Sequence, residues 1–523
     1  MKKLLNSKQM KECDKYTSEH FGVQPVVLME RAALSTSDAM VAYCGLGRGK
    51  RVLVMCGTGN NGADGLALAR ILYENSIPVS FYVPQKDGKH SELFDLQKKI
   101  LENYGVCEVS ADKKITVADL EEYDIIVDAL FGIGLSRPLS DDICELIEKV
   151  NAARAVRVSM DIPTGINADT GALMGEAFKA DLTVTFGFAK IGLMLYPGRK
   201  YTGKLVLAQI GITEKSLKNF DTALLEETDV IKTLPIRAND GNKGTFGKVL
   251  IFAGSPEMTG AAVMVSRSAF KSGAGMVKVV TYREIASVIQ NSIPEVMVTT
   301  LSKDDDKSEQ TSKLADAVNW ADVVLMGPGI GVSNYSKEIM EELIELSKDK
   351  PIVIDADGLN ILSEDENLPI LIKGRTSLTV VTPHVGELSR LIKESVSTIK
   401  NDFIAASVKA ANDYKCCVVA KDAVTCATDG EDSIVIASGN NGMATAGSGD
   451  VLAGIIAAFM ANKSETAQSG DEVDRMKGAV ANAVYVHGMA GSECLKKMPE
   501  DSLMASDILN MIPTVLSKIR IQQ

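Results

Sequence analysis

No run in this chain is apolar for long enough to cross a bilayer: the longest, 451–461, is well short of the about 20 residues a spanning helix needs. The first ten residues carry lysines but no apolar stretch of the kind a secretory signal requires, so a cytoplasmic protein without membrane attachment is expected. The nine cysteines contain no Cys-x-x-Cys pair, and Cys56, Cys416 and Cys417 fall in apolar, strand-like runs, which reads as reduced core thiols. No zinc-like ligand set is visible among those cysteines and the four histidines. An excess of positive charge is also missing. The net charge of -12 argues against a general affinity for nucleic acid, while leaving room for a local basic pocket around an anionic ligand. There is no fixed-period repeat and no low-complexity tract, and Asp304, Asp305 and Asp306 read as a solvated loop.

What is present is an ordinary globular composition, 46% hydrophobic and 24% charged, in a chain of 523 residues that is too long for one core. Short β-rich runs alternate with helical patterns: RVLVMCG and a helix from Gly62, PVSFYVP, DIIVDALFG and a helix from Asp141, AVRVSMDIP, DLTVTFGF and KLVLAQIG. Two amphipathic segments, 7–19 and 25–43, precede them. This alternation predicts a mostly parallel sheet with helices on both faces. The second half repeats the style in KVLIFAGS, MVKVVTY, DVVLMGPG, PIVIDADGLN, SLTVVTPH, CCVVAKDA and SIVIASGN, ending in helices near 451–460, 473–491 and 502–519. The charged, weakly periodic stretch 213–236 and the loop 237–244 separate the two, so the expected domains are 1–220 and 221–523, both α/β.

The segment GNNGMATAGSGDVLAG runs a glycine-spaced turn into an apolar helix with an acid at the junction. Backbone at Gly447 and Gly449 can wrap an anion closely, and the first free N–H groups of the helix point at it. A carboxylate beside a phosphate incurs like-charge repulsion, which makes sense if Asp450 takes a proton from a hydroxyl that attacks the phosphate. The alternative is a plain helix cap. In the first half, the strand RVLVMC empties into Gly57 to Gly65, and three other strand ends carry polar groups around Asp128, Asp161 and Lys190. Ligands in open α/β sheets sit beyond such ends. Amide and carboxylate oxygens on these loops suit a hard cation or a polar ligand. Lys190 reads either as a site residue or as a snorkelling surface lysine.

GTGNNGADGLALAR, DALFGIG and MDIPTGIN resemble the Rossmann-like epimerase domain of the NAD(P)HX repair family. TPHVGE, DADGLN, GNKGTFGKVLIFAGS and GNNGMATAGSGDVLAG together resemble its ribokinase-like, ADP-dependent dehydratase domain. The resemblance implies a bifunctional enzyme that interconverts R and S epimers of hydrated NADH and NADPH and dehydrates the S form with ADP, leaving AMP and phosphate. It implies that Asn60, Asn61, Gly62, Ala63 and Asp64, the loop Gly132, Ile133, Gly134, Leu135, Ser136, Arg137 and Pro138, and Asp161 contact the hydrated dinucleotide. Asn61, Asp128 and Thr164 would hold K+. In the second domain Ala262, Gly329, His384 and Asp450 would contact the hydrated dinucleotide, and Lys421, Asp422, Ala423, Val424, Thr425 and Gly449 the adenine nucleotide. Glu387 and Asp355 would position Mg2+ through water. Asp450 and Asp161 are the catalytic candidates, and a homo-oligomer is expected. Asp422 stands where the family usually has glycine. A ribokinase-like vitamin or sugar kinase with a non-catalytic N-terminal domain is the alternative.

Overall fold

The computed structural model describes residues 1–84, 89–110, 115–237, 239–464 and 472–523. Ala238, in the connecting loop, is among the residues outside that description. The chain divides into two compact units, Lys3–Thr222 and Ala223–Gln523, the latter with Met1–Lys2.

The first unit is built on seven parallel strands. From one edge they are Cys107–Val109, Val79–Tyr82, Val52–Cys56, Ile125–Ala129, Val156–Met160, Leu182–Phe186 and Lys204–Ala208. All residues of Val52–Cys56, Ile125–Ala129 and Leu182–Phe186 are buried, so these strands show no polar alternation: helices cover both faces. Strand order reverses between Val52–Cys56 and Ile125–Ala129, and the crevice beyond their carboxyl ends is where an open parallel sheet takes a ligand. Helices Ser7–His20 and Pro25–Cys44 occupy the two amphipathic segments, the first closed by a capping box between Asn6 and Gln9 and the second by Gly45 in the left-handed conformation.

The second unit carries parallel strands in the order Met297–Leu301, Met276–Tyr282, Lys248–Phe252, Val323–Met326, Ile352–Ile354, Thr379–Val381 and Cys417–Ala420. It then turns antiparallel through Thr425–Thr428 and Ser433–Ile436. Met297–Leu301, which is parallel, and Thr425–Thr428, which is antiparallel, are not among the expected runs: the first is half polar, and the second is short and gives no apolar run to mark it as a strand. Helix Ser448–Ala461 is buried along nearly its whole length and packs on Thr259–Lys271.

Two smaller expectations are corrected. The nine cysteines are all free, yet Cys107 is exposed and Cys44 and Cys144 only partly buried. Asp305 does not face solvent with its neighbours; its side chain is 6% exposed and pairs with Arg283 and Lys313.

Candidate active sites at two strand ends

In the first unit, chain entering from the buried strand Val52–Cys56 turns at Gly57 and starts the helix Asn60–Glu74. A side chain at Gly57 would sit 1.9 Å from the Leu130 carbonyl, and one at Gly62 1.7 Å from the Gly57 carbonyl, so only glycine lets these backbones meet. Beyond the strand ends opens a cavity of about 770 Å³. Of the residues expected to hold the dinucleotide, Asn60, Asn61, Asp64, Gly132, Ile133, Gly134, Leu135 and Asp161 line it. Gly62 and Ala63 are buried beneath it in the first helical turn. Ser136, Arg137 and Pro138 are exposed and outside its lining.

Asp128 and Thr164 are both fully buried and directly bonded. The Thr164 N–H donates to Asp128 Oδ2 and its hydroxyl to Oδ1, each at 2.7 Å, while Leu130 N and Ser159 Oγ donate at 3.1 and 3.4 Å. Burial pushes the Asp128 carboxyl up to about 6, and the bonds from Thr164 hold it from going higher. Both polar side-chain atoms of Asn61 are buried and have no hydrogen-bond partner. An unsatisfied buried amide in the first turn of the helix Asn60–Glu74 is costly unless something binds there.

Lys190 is 1% exposed and no surface lysine. Its ammonium donates to the Asp161 carboxylate, to Thr185 Oγ1 at 2.9 Å and to the Phe186 carbonyl at 3.0 Å. Asp161 sits at φ +68°, a strained conformation for a residue with a Cβ, which aims its carboxylate at the cavity beside Gly132. Asp14, which sequence reasoning passed over, lines the same cavity from the helix Ser7–His20.

In the second unit Gly447, at φ +86°, turns the chain into helix Ser448–Ala461 and leaves Asp450 in its first turn. Burial and the nearby Asp355 push Asp450 up to about 7, against the pull of Lys421. Asp355 is 1% exposed and accepts from Thr382 Oγ1 at 2.6 Å and Lys421 Nζ at 2.9 Å. A side chain at Gly449 would lie 3.3 Å from Lys421 Nζ, so the glycine loop and this ion pair share one place. His384 caps the helix Val385–Ile392 by accepting from Gly386 N at 2.9 Å, and the Glu387 carboxylate accepts from His384 N at 2.8 Å. Burial and the charge of Lys421 hold the His384 ring below the usual histidine range. Burial raises Glu387 to about 6.

Gly329 stands at φ +63° with a prospective Cβ 2.8 Å from Ala261. Ala262 is fully buried in the core, its methyl turned to Gly254, so it has no side chain to offer a ligand. Lys421 pairs by one bridge with His384, Val424 is buried, Asp422 and Ala423 are exposed, and Thr425 opens the antiparallel strand. Sequence reasoning missed His487, buried with its ring 3.3 Å from Ser448 Oγ behind the glycine loop. It lies mid-helix, with nothing local to distinguish it from a core residue.

Among the described residues no group of three or more His, Cys, Asp or Glu side chains is placed to hold a metal, and no helix is long and apolar enough to cross a membrane.

Comparison with known proteins assigns both halves. Residues 25–192 match the family described as YjeF-related protein N-terminus, and residues 249–514 the family described as NAD(P)H-hydrate dehydratase. A bifunctional NAD(P)H-hydrate repair enzyme of Thermofilum pendens is 33% identical over 99% of this chain and 97% of its own. The enzyme of that name in Escherichia coli K12 is 31% identical over 89% of this chain and 85% of its own. A solved structure titled ADP/ATP-dependent NAD(P)H-hydrate dehydratase, from Bacillus subtilis and co-crystallized with ATP/Mg2+, is 26% identical and covers 56% of this chain and 97% of its own, with a TM-score of 0.48.

Proposed function

The chain belongs to the bifunctional NAD(P)H-hydrate repair enzymes, and from that premise we propose how its two strand-end sites divide the work. It is an enzyme that epimerises hydrated NADH and NADPH and dehydrates them to the reduced dinucleotide. Residues 1–220 carry the epimerase and 221–523 the dehydratase, which acts on the S epimer.

The observation that carries the dehydratase reading is the place of Asp450, a half-buried carboxylate in the first helical turn after the glycine loop, where burial and Asp355 raise its pKa to about 7. A hydroxyl on C6 of the hydrated ring is a poor leaving group. Asp450 takes its proton as the oxygen attacks the terminal phosphoryl of ADP, and the amides of the Gly447 to Gly449 turn face the charge that develops there. AMP leaves. The ring nitrogen then expels phosphate from C6, and loss of a proton from C5 restores the dihydropyridine. Lys421 offsets phosphate charge, and Asp422, exposed, keeps its own charge in solvent. Mg2+ would fit as an ion carried by the nucleotide phosphates, with Glu387 and Asp355 the acids that would hold its water shell, since the described residues offer no closed ligand set. When bound it neutralises phosphate charge.

In the epimerase site the orphaned Asn61 amide, the Thr164 hydroxyl and the buried Asp128 carboxylate are oxygen donors that fit K+, which would supply a fixed positive charge there. Asp161 acts on the substrate. The protein works in the cytoplasm as a homo-oligomer. Incubation of purified protein with hydrated NADH tests the reading: nicotinamide absorbance returns only with ADP present, with one AMP formed per NADH. Return without a nucleotide, or a phosphorylated product that accumulates, contradicts it.

A further inference from the structure

The half-buried carboxylates of the epimerase cavity outnumber its buried ammonium. Three carboxylates, Asp14, Asp64 and Asp161, line it with the single buried ammonium of Lys190. Lys190 is committed to Asp161. Among the described residues no hydrogen bond or ion pair involves the carboxylate of Asp14 or Asp64, although each feels the field of Asp161 and Lys190. Substrate in the cavity excludes water, and carboxylates in one such space do not all remain ionised. Asp14 comes from the helix Ser7–His20, so it approaches the cavity independently of the helix Asn60–Glu74 that carries Asp64 and of the strand end that carries Asp161.

We propose that Asp14 is the acid of the epimerase, delivering a proton to the C6 oxygen of the hydrated nicotinamide, with the Lys190-held carboxylate of Asp161 as its opposite number. This rests on the epimerase reading of the first unit. The C6–O bond breaks as the Asp14 proton moves to the departing oxygen, releasing water, and the ring-nitrogen lone pair forms a double bond to C6, which becomes planar. Water then adds to the other face of C6 and gives its surplus proton to Asp161. One proton leaves Asp14 and one arrives on Asp161, so the ring changes only in configuration; proton exchange with water resets the pair. Burial and Asp161 raise Asp14 to about 6, so it retains a proton in a useful fraction of molecules near neutrality. Lys11, Lys15 and Glu19 on its own helix, and Lys89, are the other charged groups at the cavity.

The test compares parent, Asp14→Asn and Asp14→Glu in the full chain. Exchange of purified hydrated NADH epimers is followed by chromatography, and dehydration of the S epimer serves as an internal control. Asp14→Asn should lower the epimerisation kcat by about 100-fold or more with KM within about threefold, Asp14→Glu should recover part of the loss, and dehydration should stay at the parent rate. Because the raised Asp14 pKa means stability is lost as pH rises through about 6, Asp14→Asn should melt no lower than the parent at pH 8. Epimerised product formed in oxygen-18 water should carry one solvent oxygen. Parent-like epimerisation by Asp14→Asn, a loss confined to KM, or retention of the original oxygen overturns the proposal. A parent that dehydrates but does not epimerise would overturn the epimerase reading itself.

Discussion

Lys421 Nζ lies 2.9 Å from Asp355 Oδ1, and this pair sits directly behind the glycine loop that presents Asp450. Burial raises Asp450, and on top of that Asp355 raises it and Lys421 lowers it, so the pair adjusts the pH at which the base is free. Dehydration should fall as pH drops through about 7, where Asp450 takes up its proton, while epimerisation follows a different profile. A pH-rate curve for each activity checks this.

Lys421→Met removes the positive charge that lowers Asp450, so the acidic limb of the dehydration profile should move to higher pH. It also leaves Asp355 buried without its partner. The expected cost is on the order of 2–3 kcal/mol, less than for a fully enclosed pair because Lys421 keeps 20% exposure. Denaturant melts measure the second effect and rate profiles the first; an unmoved limb would separate the pair from the base.

Asp450→Asn should lower dehydration by about 10²–10⁴-fold and leave epimerisation unchanged, because the amide keeps the shape but accepts no proton. Comparable dehydration by the variant would remove Asp450 as the base.

Much of this organisation was legible in sequence, for a physical reason. Strands such as Val52–Cys56 are buried on both faces and so read as unbroken apolar runs, and each run empties into polar groups that must face the carboxyl edge. Asp450 was legible because a glycine turn and a helix start are local. Asp14 was not, since its helix looks amphipathic and only tertiary packing brings it to the cavity. The role of Lys190 stayed open in sequence because its partner, Asp161, is set by neighbouring strand ends rather than by spacing. His487 was hidden in the same way, and Ala262, placed by resemblance at the substrate, has its side chain in the core.

Epimerisation should depend on K+, and Asp128→Ala should weaken that dependence more than Asn61→Ala or Thr164→Ala, because it deletes the only formal charge of the three. Asp128→Ala also strands the Thr164 and Leu130 donors, which should cost about 1–3 kcal/mol. Potassium titrations of epimer exchange for the three variants check the order; equal dependence in the parent and Asp128→Ala places the ion elsewhere.

A fragment of residues 1–222 should fold on its own, since its seven-stranded sheet and covering helices form a complete core. A single cooperative melt with epimerase activity is expected, and aggregation would show that the division is wrong.

The central claim, that one chain holds both activities, is tested most directly by giving the intact protein an equal mixture of R and S hydrated NADH with excess ADP and following nicotinamide absorbance. The account predicts recovery of the whole mixture, with AMP rising one for one, and with only the S half recovered at enzymatic speed once the epimerase site is disabled. Recovery that stops at half in the parent protein, or that proceeds without ADP, would contradict it.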